Sequence, residues 1–104
     1  MVLAIGGNLL IDQDQVADLC RRFHIRELAV FGSAVAGPFT DGSDVDLLYE
    51  FEAGHTAGFQ ILKIEEEFSR LLGGRRIDLV PKKYLNRHVR DRILSTARTL
   101  YAQG

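Results

Sequence analysis

The sequence predicts an α/β (α+β) protein in which a small sheet packs against helices in one pair of layers. Short apolar segments that end in glycine or proline alternate with segments whose apolar residues recur every three or four positions. The predicted order is helix, strand, strand, helix, strand, helix. A chain of 104 residues with 46% hydrophobic side chains has the usual size of one domain, so we expect residues 1–104 to form a single domain.

The first predicted helix covers residues 14–24, and either Asp12 or Asp14 can cap its first turn. Its apolar residues at helical spacing are Val16, Leu19, Cys20 and Phe23. Cys20 falls on the buried stripe, so we interpret it as a core residue. The apolar opening MVLAIGGNLLI lacks the basic region and cleavage site of a secretory signal. We therefore expect it to be part of the fold or a loose terminus.

Two strands are predicted next, at residues 27–31 and 44–51, because both segments are short and rich in apolar side chains. Small and turn-forming residues fill the segment between them, which includes Pro38 and Asp41. This composition allows at most one turn of helix there.

The second half of the chain predicts a helix, a strand and a final helix. The first of these helices has the apolar residues Ile61, Ile64, Phe68, Leu71 and Leu72 and ends at two glycines, Gly73 and Gly74. Residues 76–80 form the third predicted strand, which Pro81 closes. The last helix is predicted to bury Val89, Ile93, Ala97, Leu100 and Tyr101.

Composition excludes several classes of protein. A single cysteine excludes an internal disulfide, and we expect a cytoplasmic location. His24, His55 and His88 share no ligand spacing, so we also expect no structural zinc site. No apolar run reaches the roughly 18 residues of a membrane span. Residues 1–74 hold 5 basic and 12 acidic residues, whereas residues 75–104 hold 8 and 2. This asymmetry indicates either a site where the two segments meet or two solvated faces of opposite sign.

Three aspartates occupy strand positions. Asp44 and Asp46 are two residues apart, so strand alternation places both carboxylates on one face. Asp78 lies between Ile77 and Leu79, so its side chain points to the opposite face of the strand from theirs. We expect this to be the face that also carries Asp44 and Asp46. Clustered carboxylates repel one another unless a cation neutralises them, and hard oxygen ligands favour magnesium or manganese. The alternative for Asp44 is that it only caps a turn.

A candidate phosphate-binding turn precedes the acidic pair. Gly32 and Ser33 directly follow a predicted buried strand, where glycine lets the backbone approach a ligand and serine can bind a phosphate oxygen. A phosphate site and a metal site on consecutive strands are what metal-assisted nucleotidyl transfer requires. No Gly-Lys-Ser/Thr sequence is present, which excludes a Walker-type phosphate loop.

The string Phe31-Gly32-Ser33, followed after ten residues by Asp44-Val45-Asp46, resembles the signature of the polymerase-β-like nucleotidyltransferase superfamily, with Asp78 matching its third acidic residue. The chain is most similar to the minimal nucleotidyltransferases, the MNT-type antitoxins that are paired with HEPN-domain toxins. The resemblance runs from about Gln15 to Tyr101.

This resemblance implies a small mixed β-sheet backed by helices and an Mg²⁺- or Mn²⁺-dependent enzyme that transfers a nucleotidyl group, most often AMP from ATP, to a hydroxyl. Asp44, Asp46 and Asp78 would be the catalytic metal ligands, and Asp78 would also accept or orient the proton of the attacking hydroxyl. Gly32 and Ser33 would bind the triphosphate.

One departure from the family pattern concerns charge. Relatives commonly have an arginine shortly after the serine, whereas this chain continues with Ala34-Val35-Ala36-Gly37. Either triphosphate binding is weakened, or another cation supplies the charge. The candidate cations are Arg75, Arg76, Lys82 and Lys83.

A chain of this size leaves little room for an acceptor-binding domain, so we expect the acceptor to be a partner. The resemblance implies a HEPN-type toxin that is modified on a hydroxyl, commonly of tyrosine. The candidate docking surface is the basic stretch of Lys82, Lys83, Arg87, Arg90, Arg92 and Arg98, for which a merely solvated helix is the alternative. RNA binding is less favoured, because Tyr84 alone is interleaved with these charges. The alternative function is a non-catalytic module that neutralises a partner by occlusion.

Overall fold

The computed structural model describes residues 1–5, 9–37, 39–40, 42–56 and 58–103, except the side chain of Ala36. Parts of the predictions therefore lie outside the described residues. These parts are Gly6, Gly7 and Asn8 of the apolar opening, Pro38 and Asp41 of the turn-rich segment, and Ala57 of the loop before the second long helix.

The described residues form six strands and four α-helices. The strands are β1 (Val2–Ile5), β2 (Leu9–Asp12), β3 (Ile25–Phe31), β4 (Val45–Phe51), β5 (Ile77–Pro81) and β6 (Arg98–Ala102). The helices are α1 (Gln13–Arg22), α2 (Ser33–Ala36), α3 (Ile61–Leu71) and α4 (Arg87–Thr96). Short 3-10 turns occupy Gly58–Gln60 and Lys82–Tyr84.

The main sheet has four strands in the order β5-β4-β3-β6. Strands β4 and β5 are parallel, whereas β3 pairs antiparallel with both β4 and β6. The predicted small mixed sheet with helices is therefore confirmed. Strands β1 and β2 form a separate antiparallel hairpin.

The core lies between one face of the main sheet and helices α1 and α3. From the sheet, Leu28, Val45 and Leu47 are fully buried, and Phe68 of α3 is the largest fully buried side chain. Cys20 of α1 belongs to the same core, and burial raises the pKa of its thiol to about 12. The prediction that Cys20 is a core residue is confirmed.

Helices α1 and α3 begin and end close to the predicted residues. Of the two candidate caps for α1, Asp12 is the one used, because its carboxylate accepts hydrogen bonds from the N–H groups of Asp14 and Gln15. Helix α3 ends before Gly73 and Gly74, whose φ angles of 77° and 82° lie in the left-handed region that glycine tolerates best.

The last predicted helix is wrong in its final third and in its predicted burial of Val89, Ile93 and Ala97. Helix α4 ends at Thr96 and buries none of its residues, and Leu100 and Tyr101 lie in strand β6 instead. Strand β6 pairs with β3 and supplies hydrogen-bond partners to an edge that would otherwise be open. Apolar residues spaced three apart are typical of a helix. This local pattern carries no information about the unpaired backbone groups on the edge of β3, which is distant in the sequence.

The N-terminal segment is part of the fold. Ile5, Leu9 and Ile11 are buried in the main core, so the hairpin packs against the rest of the chain. The sequence analysis allowed this segment to be either part of the fold or a loose terminus. Its two strands were not predicted. Among the residues that the structure describes, no helix has both the length and the apolar character needed to cross a membrane.

Candidate active site

The three aspartates come together because β4 and β5 are parallel neighbours in register. Asp46 of β4 is the Cα partner of Asp78 of β5. In a parallel pair, residues in register point to the same face of the sheet, opposite the buried Val45 and Leu47. Asp44 lies two residues before Asp46, just ahead of β4, and is exposed. The sequence predicted a shared face, and the register provides it.

Gly32 and Ser33 lie beside this cluster at the end of β3. Phe31 is the Cα partner of Asp46, so the chain leaves β3 next to the Asp46 carboxylate. Gly32 has a φ of 75°, and a Cβ added there would collide with Asp46 Oδ2. The position therefore requires glycine for two reasons, its backbone conformation and the close approach of a carboxylate. Ser33 begins the single-turn helix α2.

The electrostatics of the cluster are those of crowded carboxylates. Burial raises the pKa of Asp46 above its usual value, and the negative charges of Asp78 and Asp44 raise it further. A hydrogen bond with Asp78 also favours the protonated form of Asp46. A cation placed among the three carboxylates would remove this repulsion.

The donor set suits a hard divalent cation. The charges of Asp44 and Asp78 both act on Asp46, and the two side chains are exposed, so an ion can reach them from solvent. Magnesium is usually held by one or two carboxylates together with substrate phosphates, which matches a partly open acidic cluster beside the Gly32-Ser33 turn. These residues therefore fit the metal that the family resemblance implies.

Four cations were candidates for the missing phosphate-facing charge, and the structure separates them. Arg75 lies against the segment that leads into Asp44, because its Nη1 donates to the carbonyls of Thr40 at 2.9 Å and Ser43 at 3.3 Å. Its guanidinium also lies 4.4 Å from the ring centroid of Phe39. Arg76 is exposed and immediately precedes β5, two residues before Asp78.

Lys82 and Lys83 lie at the other end of β5. Lys82 lies four positions after Asp78 along the extended chain, or about 13 Å. Lys82 is mostly buried, and its Nζ contacts the Glu27 carboxylate at 3.1 Å. Neither lysine is therefore placed to neutralise a phosphate beside Asp46, whereas both arginines lie at the end of β5 that carries Asp78.

The raised pKa of Asp46 predicts a pH-dependent gain in stability for Asp46→Asn without divalent cations. Above the usual aspartate pKa of 3.8, the unfolded chain ionises Asp46 more readily than the folded chain, which destabilises the folded wild type as pH rises. Asparagine removes this effect. We expect the variant to gain at most about 1 kcal/mol at neutral pH, since the cluster is partly solvent-screened, and nothing well below pH 3.8.

Urea unfolding in EDTA at the two pH values measures this difference. Asp18→Asn is the matched control, because Asp18 is an exposed carboxylate paired with Arg21 at 2.7 Å. A loss of stability in Asp46→Asn that is equal at both pH values would contradict the prediction.

Comparison with known proteins agrees with this geometry. A family model described as a nucleotidyltransferase domain matches residues 14–100. Protein adenylyltransferase MntA of Thermococcus cleftensis is 39% identical over 77 residues, which are 74% of this chain and 76% of that protein.

Solved structures share the fold. One assigned to a minimal nucleotidyltransferase has a TM-score of 0.69 at 32% identity and covers 83% of this chain and 86% of that chain. A toxin-antitoxin complex solved with AMP-PNP has a TM-score of 0.71 and covers 89% of this chain and 75% of that chain. Its identity is 15%, so this second likeness concerns the fold alone. The family model, the MntA relative and the first of these structures together show that the chain belongs to the minimal nucleotidyltransferases of the polymerase-β-like superfamily.

Proposed function

We propose that this nucleotidyltransferase transfers AMP from ATP to a hydroxyl of a partner protein, with Mg²⁺ or Mn²⁺ as cofactor, and acts as the antitoxin of a HEPN-type toxin. The observation that carries the proposal is the register of Asp46 and Asp78 on parallel strands, beside a glycine that admits the Asp46 carboxylate. The similarity to MntA, whose name is protein adenylyltransferase, supports a protein as the acceptor.

Asp44, Asp46 and Asp78 would hold the divalent cation. When bound, the cation would neutralise charge on the triphosphate and lower the pKa of the attacking hydroxyl. The raised pKa of Asp46 has a consequence here, because a carboxylate that is costly to ionise alone gains most from a nearby positive charge. The chain thus contributes a site whose own repulsion favours cation binding.

Gly32 and Ser33 would position the triphosphate. The absence of a side chain at Gly32 keeps the end of β3 open beside Asp46, and the Ser33 hydroxyl can donate to a phosphate oxygen. Asp78 is the more exposed partner of Asp46, so it is the carboxylate that an incoming hydroxyl can reach. Asp78 would accept or orient the proton of that hydroxyl.

Arg76 is the residue that we propose for the charge missing after Ser33. It is exposed and two residues from Asp78, so an extended backbone places its side chain on the face of the carboxylates. Arg75 would act more indirectly. Its contacts with the carbonyls of Thr40 and Ser43 hold the segment that delivers Asp44.

Helix α4 is the proposed docking surface for the partner. It buries none of its residues and exposes apolar Val89 and Leu94 beside Arg87 and Arg90. Apolar side chains next to arginine are typical of protein interfaces. The sequence analysis also included Lys82 in this surface. Because Lys82 forms an ion pair with Glu27, we exclude it from the proposed docking surface.

The proposal is tested by incubating the purified chain with ATP, Mg²⁺ and its co-purified partner, and then measuring the intact mass of each protein. We expect the partner to gain one or more AMP units, attached to a hydroxyl, commonly that of tyrosine. The gain in mass should require both ATP and the divalent cation. The carboxylates of the site and the triphosphate are both negatively charged, and the cation would neutralise the repulsion between them.

The same assay distinguishes the alternative. Tight binding of the partner with no mass gain on any protein would contradict the enzymatic proposal. The chain would then neutralise its partner by occlusion, and the uncharged residues Ala34 and Val35 after Ser33 would be the first place to seek the reason.

A further inference from the structure

Two histidines and a glutamate lie together at the end of the main sheet away from the carboxylates. His24 follows α1, whereas Glu52 and His55 lie in the loop after β4. One ligand atom from each of these side chains lies within 4.8 Å of the other two. Both histidines are exposed, and their contact was not predicted, because they lie in separate loops.

The backbone holds the three residues at a fixed spacing. The Glu52 N–H donates to the His24 carbonyl at 2.8 Å, and the His55 N–H donates to the Glu52 carbonyl at 3.0 Å. The two imidazole rings stack with centroids 4.0 Å apart and planes 12° from parallel. His24 Nδ1 lies 3.6 Å from Glu52 Oε1. Small rotations of the side chains would therefore bring all three ligand atoms to one ion.

The glutamate is oriented from outside the cluster. Gln103 Nε2 donates to Glu52 Oε2 at 2.6 Å, which leaves Oε1 to face His24. Such a hydrogen bond to the far oxygen of a ligating carboxylate is a common feature of metal sites, where outer partners set the direction of the ligands.

His24 has a backbone conformation that is uncommon for residues other than glycine. Its φ is 61°, and among the described residues other than glycine it alone has a positive φ. Glycine or asparagine adopts this conformation more readily after a helix. A strained position held by a side chain with ligand chemistry points to a use for that side chain.

We propose that His24, Glu52 and His55 bind a divalent transition metal such as Zn²⁺. Two imidazole nitrogens and one carboxylate oxygen form a set that zinc accepts, with one further position left to water, whereas magnesium prefers oxygen alone. Glu52 lies six positions after Asp46 along the extended chain, or about 20 Å, so this site is separate from the carboxylate cluster. A bound ion would join the turn after α1 to the loop after β4.

Zinc titration by calorimetry tests the proposal, with full-length chain prepared without a histidine tag. The parent protein carries Asp44→Asn, Asp46→Asn and Asp78→Asn, so that the carboxylate cluster cannot contribute. We expect it to bind one Zn²⁺ per chain. We expect His55→Gln to weaken binding at least about 100-fold, because loss of a ligand should exceed the 10–100-fold typical of losing an outer partner.

Two further variants complete the test. His24→Asn removes the second imidazole while keeping a residue that tolerates a positive φ, and it should weaken binding as His55→Gln does. His88→Gln is the matched control, because His88 is exposed on α4 outside the cluster, and it should bind as the parent does. Failure of the parent to bind zinc, or equal binding by all variants, would overturn the proposal. Neither result depends on nucleotidyl transfer.

Discussion

Replacing Asp44 and Asp46 together by asparagine is expected to lower nucleotidyl transfer by at least about 1,000-fold while the chain stays folded. Asp46 is in register with Asp78 and is also acted on by the charge of Asp44, and asparagine keeps the shape of both replaced side chains but removes the charges that would hold a cation. The rate of AMP transfer to the partner, followed by intact mass, measures the effect.

The fold of this variant should be at least as stable as that of the wild type without metal, because asparagine removes the two main causes that raise the pKa of Asp46, the burial of its charge and the repulsion by neighbouring carboxylates. The matched control is Asp18→Asn, which removes an exposed carboxylate of α1 that pairs with Arg21. We expect the control to transfer AMP at the wild-type rate. Transfer by the double variant at more than a tenth of that rate would show that the cluster is not the catalytic centre.

Gly32→Ala is expected to abolish most activity and to destabilise the chain. The new Cβ would collide with Asp46 Oδ2, and the φ of 75° is strained for alanine. We expect a loss of stability of about 1–3 kcal/mol from the strained backbone and the clash. Displacement of Asp46 by even about 1 Å should reduce transfer about 100-fold. Urea unfolding and the AMP-transfer rate measure the two effects.

Gly54→Ala is the control that separates strain from collision. Gly54 has a φ of 83°, but a Cβ there would meet no atom within 4 Å. We expect Gly54→Ala to lose stability without losing activity. If Gly32→Ala loses no more activity than Gly54→Ala, then the contact between Gly32 and Asp46 does not position the carboxylate, and the prediction is wrong.

The candidate site was largely predictable from the sequence because its signals are local. Alternation along an extended segment predicts that Asp44 and Asp46 share a face, whatever the rest of the fold does. The Gly32-Ser33 turn follows its strand directly in the chain, and α3 combines a clear apolar stripe with a double-glycine stop. These features depend on neighbours in sequence, and the structure agrees with them.

Other features depend on which strands become neighbours. Leu100 and Tyr101 lie in a strand because β6 pairs with the second edge of β3, whose backbone groups would otherwise be unpaired. No local sequence pattern predicts this pairing. The choice among the four candidate cations also depends on contacts between distant segments. Lys82 forms an ion pair with Glu27, a residue of another strand. Pairing between distant segments decides both outcomes.

By itself, the sequence determined the elements around the site, the acidic pair with its glycine turn, and the family to which the chain belongs. Only the tertiary structure decided that Asp78 is in register with Asp46, that β6 is a strand, and that His24 meets His55 beside Glu52. The physical reason is the range of the interactions. Strand alternation and helix periodicity act within a few residues, whereas sheet order and register arise from backbone hydrogen bonds between segments that are far apart in the chain.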